Sequence, residues 1–335
     1  MKLVTITLNP ALDLTAALDQ LHPGEVNLVG EASLRAAGKG INVAMVLKDL
    51  GRDVALTGWL GEDNQQAFVD LFAHKGLEDC FVRVPGSTRI NVKVSERSGR
   101  VTDLNLPGLA IAEDAILALD DVIETLARQG QWFVLAGSLP KGVDTALVAR
   151  LITGLKAQGK QVIFDCSGAA LGAGIAAGPT LIKPNLEELS QWAGRPIRTL
   201  EEQAECARAL QARGVSQVVI SNGAEGVIWF GEEQIWQARP PRMQVVSTVG
   251  AGDSLVAGLA HGLSLGWPMA QTLRLATAAS ALAVSQVAVG FADPAALEPI
   301  AERVTITRLD AEAPQGAHQA DRKDMTSHTS TGDAQ

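Results

Sequence analysis

STVGAGDSLVAG, residues 247–258, runs a Gly-Ala-Gly turn into a stretch of small and apolar residues, with one acid, Asp253, at the join. The spacing reads as a turn that opens a helix. The first amides of a helix have no partner within it, and the macrodipole puts partial positive charge at that end. Glycine at 250 and 252 lets the backbone approach a ligand, so Gly250, Ala251 and Gly252 can form an anion hole for a phosphate. Asp253 then has two readings. One is an ordinary helix N-cap, worth about 1 kcal/mol. The other is a base that takes a proton from a hydroxyl while the neighbouring amides stabilise a phosphoryl group in transfer. Those two jobs must lie close together, because nucleophile and phosphorus meet in line.

Outward from this turn, strand-like and helix-like segments alternate. Apolar runs at 3–8, 54–60, 132–137, 161–166, 180–184 and 217–221 look like buried parallel strands. Helical patterns at 41–51, 63–76, 144–159 and 200–214 lie among them, each ending at a glycine. The alternation predicts an α/β domain with a mostly parallel sheet and helices on both faces. Two regions break the rhythm. Residues 12–35 lack a clear helix, and 81–106 alternate with period two around turn signals, which predicts a β-meander with one polar face. Such an insertion is either a flap or oligomer surface, or a plain surface elaboration. The apolar stretch 275–289 predicts a buried helix, too short to span a bilayer. From about 311 onward the chain is polar, rich in small residues and without apolar period, which predicts disorder.

Composition narrows the partners. A hydrophobic share of 47% supplies a sizeable core, and a formal net charge of −9 argues against nucleic-acid binding. It leaves room for a phosphorylated substrate, since a few local cations suffice. The three cysteines have no metal spacing, and the N-terminus reads as a strand rather than a signal sequence, so a cytoplasmic, non-membrane protein is expected.

Three further stretches carry polar groups at turns. In 35–51, Gly38 and Gly40 open a helix with Lys39 in the turn and Asn42 one turn in. This is no Walker A loop, and Val43 replaces the third glycine of a dinucleotide fingerprint. It is either a sugar or phosphate site or a tight strand–helix connection. In 181–189, Lys183-Pro184-Asn185 ends a strand, and Glu187 and Glu188 open a helix. These acids complement the helix dipole, or Asn185 and Glu188 orient a hydrated magnesium ion at the strand's C-terminal edge. In 220–230, glycines flank Ala224-Glu225, in a hairpin turn or a nucleotide phosphate clamp.

Their order is more specific than any one of them. LNPALD (8–13), AAGKGINVA (36–44), TRINVKV (88–94), AGSLP (136–140), KPNLEE (183–188), SNGAEG (221–226) and STVGAGDSLVAGL (247–259) together resemble the phosphofructokinase-B, or ribokinase-like, carbohydrate kinase family. The resemblance runs from residue 1 to about 308. It implies a three-layer α/β/α kinase domain over 1–310, with a small β-sheet lid from about 12–35 and 81–106, and a homodimer through that lid. It implies transfer of the ATP γ-phosphoryl with Mg2+, and it is strongest to the branch that converts D-fructose 1-phosphate to fructose 1,6-bisphosphate at the 6-hydroxyl. Tagatose 6-phosphate and fructose 6-phosphate are the rival substrates, and a non-catalytic sugar-phosphate sensor is the rival class. By the same resemblance Asp253 is the general base and Gly250, Ala251 and Gly252 the anion hole. Asp13, Gly38 and Asn42 meet sugar hydroxyls, and Lys39, Arg89 and Lys93 meet phosphate, with Asn91 and Ser138 as further contacts. Lys183, Asn185, Ser221, Asn222, Gly223, Ala224, Glu225, Gly226 and Gly252 face ATP, and Asn185 and Glu188 reach the metal through water.

Overall fold

The computed structural model describes residues 2–309, so the disorder expected for 311–335 lies outside the described residues. Along the chain run β1 (Lys2–Thr7), β2 (Ala11–Leu18), β3 (Glu31–Ala37), α1 (Lys39–Asp49), β4 (Val54–Gly61), α2 (Gln66–Lys75), β5 (Glu78–Asp79), β6 (Val82–Val84), β7 (Ile90–Glu96) and β8 (Val101–Leu104). There follow α3 (Glu113–Ala127), β9 (Gly130–Gly137), α4 (Ala146–Ala157), β10 (Gln161–Cys166), α5 (Ala169–Ala176), β11 (Leu181–Ile182), α6 (Leu186–Ala193), α7 (Leu200–Gln211) and β12 (Gln217–Ser221). The chain continues with β13 (Val227–Phe230), β14 (Ile235–Arg239), α8 (Ala251–Ser264), α9 (Met269–Ala283), α10 (Glu298–Arg303) and β15 (Thr305–Leu309).

The six apolar runs form the parallel centre of one large sheet, β4-β1-β9-β10-β11-β12. Strands β13, β14 and β15 extend one edge antiparallel, and β5 and β6 pair with β4 at the other. The strands are continuous in apolar residues because both faces are covered. Along β10, Val162 and Phe164 pack into a core beneath α3, α4 and α7, whereas Ile163 faces the core formed with α1, α2, α8 and α9. Each large side chain fully buried in this way, such as Phe133, Phe164 or Phe68, contributes about 1.5–3 kcal/mol. The small-residue spacing of α8 has a packing cause. A Cβ at Gly258 would run into Ala276, so α8 and α9 lie backbone against backbone.

Two expectations need correction. The helix read over 275–289 is α9, which ends at Ala283. Residues 284–291 instead form a loop whose first carbonyl, Val284 O, accepts the amides of Val246 (2.7 Å) and Ser247 (3.2 Å). The 81–106 stretch is not one meander. β6 belongs to the large sheet, and only β7 and β8 make a hairpin. The chain changes sheet at Thr88, whose hydroxyl accepts the Gly61 amide at 2.9 Å while Asn64 Nδ2 donates to its carbonyl at 2.8 Å.

That hairpin enters a second, four-stranded sheet of order β3-β2-β7-β8, in which β2 and β7 run parallel. Its two faces differ in character. Leu34, Leu14, Val92 and Leu104 are paired in one row across the sheet. Asp13, Asn91 and Lys93, at odd positions of the same strands, point to the opposite face. Because the sheet leaves the end of β1 and returns at α1, it stands beside the C-terminal edge of the parallel strands, where open α/β sheets bind ligands.

Candidate active site

The turn at 247–252 does what its glycines permit. Gly250 is the N-cap of α8 in the left-handed region, at φ 77°, and a Cβ there would come within 2.7 Å of Val289. Asp253 is therefore not the cap. It is the third residue of the helix, 7% exposed, and its Oδ2 accepts a hydrogen bond from Asn42 Nδ2 at 2.7 Å. Among the described residues the amides of Gly252 and Asp253 have no acceptor. Burial pushes the Asp253 carboxyl up to about 6, with the Asp165 charge adding to the rise, while the Asn42 bond, Lys39 and Lys183 hold it down.

Asp165 is the residue that sequence reasoning passed over. It stands one place from the end of β10, 2% exposed. Lys39 Nζ lies 3.5 Å and Lys183 Nζ 3.4 Å from its Oδ1, and neither carboxylate oxygen has a hydrogen-bond partner among the described residues. The available signal was a lone acid at the C-terminal end of a fully apolar parallel strand, which is costly unless paired. Burial disfavours the charge of Lys39, but Asp165, Asp253 and Glu188 together raise its pKa above the ordinary lysine value. Lys183 is buried, and a Cβ at Gly252 would be 3.7 Å from its Nζ, so the ammonium sits beside the turn. One carboxylate thus holds two cations next to a second, partly protonatable one.

Across from this cluster, Gly38 is the N-cap of α1 at φ 147°, where a Cβ would come within 2.9 Å of Thr7 and 3.3 Å of Pro10. Asp13 Oδ1 accepts from Asn91 Nδ2 at 3.1 Å, and burial raises its pKa against that bond and the charges of Lys93 and Arg89. Lys93 also lies 3.5 Å from Asp103, its cross-strand neighbour. Arg89 is placed differently from an open phosphate ligand. Its guanidinium donates to three backbone carbonyls, Asn9 O (3.0 Å), Pro10 O (3.3 Å) and Leu106 O (3.3 Å). It ties the β1–β2 connection to the segment after β8. Asn9, also missed from sequence, extends that tie by donating to Ser138 Oγ (3.1 Å) and Leu139 O (3.2 Å).

Asn185 and Glu188 form a capping box at the start of α6. Asn185 Oδ1 accepts the Glu188 amide at 2.8 Å, and Glu188 Oε2 accepts the Asn185 amide at 3.0 Å. The cap leaves Glu188 one carboxylate oxygen. Ser221 pairs with Asn185 in an isolated bridge and donates its amide to Pro184 O at 3.1 Å. Asn222 to Gly226 make the β12–β13 hairpin turn through a short 3-10 segment, with Gly223, Ala224 and Glu225 exposed. Gly226, at φ 102°, lies against Ala238 O, where a Cβ would not fit. Asn185 and Ser221 are thus brought together at the sheet edge, and the glycine turn lies just beyond them. Among the described residues no group of three or more His, Cys, Asp or Glu side chains converges as a metal cage.

Known proteins match this arrangement along nearly its whole length. The pfkB family carbohydrate kinase pattern matches residues 5–296. A 1-phosphofructokinase from Vibrio cholerae is 51% identical over 308 residues, which cover 92% of this chain and 97% of that one. A 1-phosphofructokinase from Escherichia coli is 47% identical over 307 residues, 91% of this chain and 98% of that one. Among solved structures, phosphofructokinase-2 from Escherichia coli, in complex with substrates and products, superposes with a TM-score of 0.83 at 28% identity over 90% of this chain and 99% of that one. The chain that sets a glycine-capped helix with a buried acid at the C-terminal edge of a parallel sheet belongs to the pfkB family of carbohydrate kinases.

Proposed function

We propose that this chain transfers the γ-phosphoryl group of ATP to the 6-hydroxyl of D-fructose 1-phosphate, giving fructose 1,6-bisphosphate and ADP. The observation that carries the reading is Asp253, a buried carboxylate held by Asn42 at 2.7 Å in the first turn of a helix where, among the described residues, the Gly252 and Asp253 amides have no acceptor. The substrate assignment is supported by relatives of that name at 51% and 47% identity.

Asp253 accepts the proton of the 6-hydroxyl as the oxygen attacks phosphorus. An alcohol is a weak nucleophile at neutral pH, so a positioned base is worth about 10²–10⁴ in rate. The Gly252 and Asp253 amides and the Lys183 ammonium face the charge that develops on the migrating phosphoryl, in a site where low dielectric strengthens them. Asp165 pairs with both Lys183 and Lys39 and fixes their ammonium groups between the two substrates. On the sugar side Asp13, Gly38, Asn42, Asn91 and Ser138 serve the hydroxyls, Lys39 and Lys93 serve the 1-phosphate, and Arg89 adds to them only through the N–H groups that its carbonyl bonds leave over. On the nucleotide side Asn185, Ser221 and the turn from Asn222 through Gly223, Ala224 and Glu225 to Gly226 border ATP. The donor set fits magnesium: it is a hard ion that keeps several waters and takes one or two carboxylates plus substrate phosphates, and Glu188 has an oxygen to spare. Asn185 and Glu188 would hold it through water, and the ion would neutralise phosphate charge.

The small sheet is the lid of this site in our reading, and its apolar face pairs two copies of the chain. Three free thiols and a nucleotide substrate support a cytoplasmic location for the reaction. Among the described residues no helix is long and apolar enough to cross a membrane. The test is a coupled ADP-release assay with fructose 1-phosphate, fructose 6-phosphate and tagatose 6-phosphate. The expected outcome is the highest kcat/KM with fructose 1-phosphate. A preference for either 6-phosphate reassigns the substrate, and ADP release with none of them removes the kinase reading for this site.

A further inference from the structure

Asp49 is a largely covered acid, and it stands outside the machinery described above. It ends α1, seven residues after Asn42, so two helical turns put both side chains on one side of the helix. Its carboxylate is engaged twice. Oδ1 pairs with Lys75 Nζ at 2.7 Å, and Oδ2 accepts the backbone amide of Phe291 at 2.9 Å, with 9% of the side chain exposed. Phe291 closes the 284–291 loop that replaces the expected end of α9. Gly290, at φ 91°, lies so tightly on the carboxylate that a Cβ would run into Asp49 Oδ2. Inside the loop, Gln286 Nε2 donates to Ala288 O at 3.0 Å and also to Gly290 O.

The other side of the loop bears on the anion hole. Val284 O holds the amides of Val246 and Ser247, the residues that lead into the glycine turn. Val289 fills the space beside Gly250, within 2.7 Å of where a Cβ would stand. α1 therefore holds α8 at two points. Asn42 fixes the Asp253 carboxylate directly, and Asp49 fixes a loop that buttresses the cap of the same helix.

We propose that Asp49 is a positioning residue for phosphoryl transfer. Through the 284–291 loop it holds the Gly250 turn in the position that aims the Gly252 and Asp253 amides at the transferring group. The proposal rests on the reading of that turn as the anion hole. Asp49 itself hydrogen-bonds no residue of α8 among the described residues.

The test combines amide hydrogen exchange with kinetics on Asp49→Ala, Asp49→Asn and Lys75→Met. In Asp49→Ala we expect amides of 284–291 and 246–254 to exchange at least about tenfold faster, with β1 and β10 unchanged. We expect kcat to fall about tenfold while the KM for the sugar phosphate stays within about twofold, since a small misplacement of catalytic groups costs turnover. Asp49→Asn, which keeps an oxygen for the Phe291 amide, recovers most of both. Lys75→Met shifts both readouts in the same direction by about threefold, and it decides the matter if Asp49→Ala does not fold. Unchanged exchange at 246–254, uniformly faster exchange throughout the protein, or a loosened loop with kcat intact overturns the proposal. The exchange result needs no turnover. If the wild-type chain phosphorylates no phosphosugar, the functional reading fails while the link from Asp49 to the turn is still tested.

Discussion

Asp253 sits where burial and neighbouring charge pull against each other, and the balance sets a measurable pH dependence. With its carboxyl raised to about 6, the group passes from the neutral to the charged form as pH rises through that value. A general base works only in that form. Activity should therefore rise with pH through about 6 and level above it, as the kcat/KM profile for the sugar phosphate will show. The Asn42 bond favours the charged form, so Asn42→Ala should move the acid limb upward. A limb that stays put or moves down would contradict the assignment of that bond. Asp253→Asn should lose about 10²–10⁴ in kcat while calorimetry finds sugar-phosphate binding retained. Asp253 was legible from sequence because the glycine turn gave it a context. Asp165 was not, since its neighbours read as strand and nothing in a linear pattern says that Lys39 and Lys183 converge on it. Arg89 was legible as a cation near the site, but the three carbonyls that hold its guanidinium come from 9, 10 and 106 and appear only after folding.

At the scale of the element, α6 shows one pair of residues open to two uses. The capping box ties Asn185 and Glu188 to each other's amides, and a cap of this kind is worth about 1 kcal/mol. Glu188→Gln separates the roles. The amide oxygen still accepts from Asn185, so Tm should change by no more than a few degrees for an effect of ~0.5 kcal/mol. The charge is lost, so the magnesium concentration for half-maximal activity should rise about tenfold; an unchanged magnesium titration would leave Glu188 only the cap. The same contrast explains which elements were readable. Parallel strands buried on both faces announce themselves as unbroken apolar runs. The end of α9 does not, because residues 284–289 keep the apolar composition of a helix while the Val284 carbonyl serves Val246 and Ser247 and the Val289 side chain packs beside Gly250. β5 and β6 are two and three residues long, and they are strands only because β4 offers an edge.

The whole molecule carries an apolar surface that one copy leaves in water. Leu34 and Leu104, at the two ends of the row that crosses the small sheet, are 50% and 53% exposed, and Val26 and Leu28 in the β2–β3 connection are 92% and 88% exposed. Scattered apolar residues on a surface mean little, but a contiguous row on a sheet face marks an interaction site. The opposite face carries Asp13, Asn91 and Lys93 toward the sugar side, so the sheet reads as a lid with a wet inner face and a greasy outer one. In the proposed dimer a second copy of the sheet would cover that outer face by the same residues on both sides, as a two-fold interface requires. Light scattering should then report a dimer for the wild-type chain. Leu104→Glu places a charge at one end of the covered row and should give a monomer. If the lid is held in place by its partner, that monomer should also show a raised KM for the sugar phosphate, by about tenfold, because lid closure completes the site. The acid limb of its pH profile should stay near 6, since Asp253 belongs to the large sheet's edge and not to the lid. A wild-type monomer, or a Leu104→Glu chain that remains dimeric, would show that this face serves something other than self-pairing. A monomer with unaltered KM would separate dimer formation from the working of the lid.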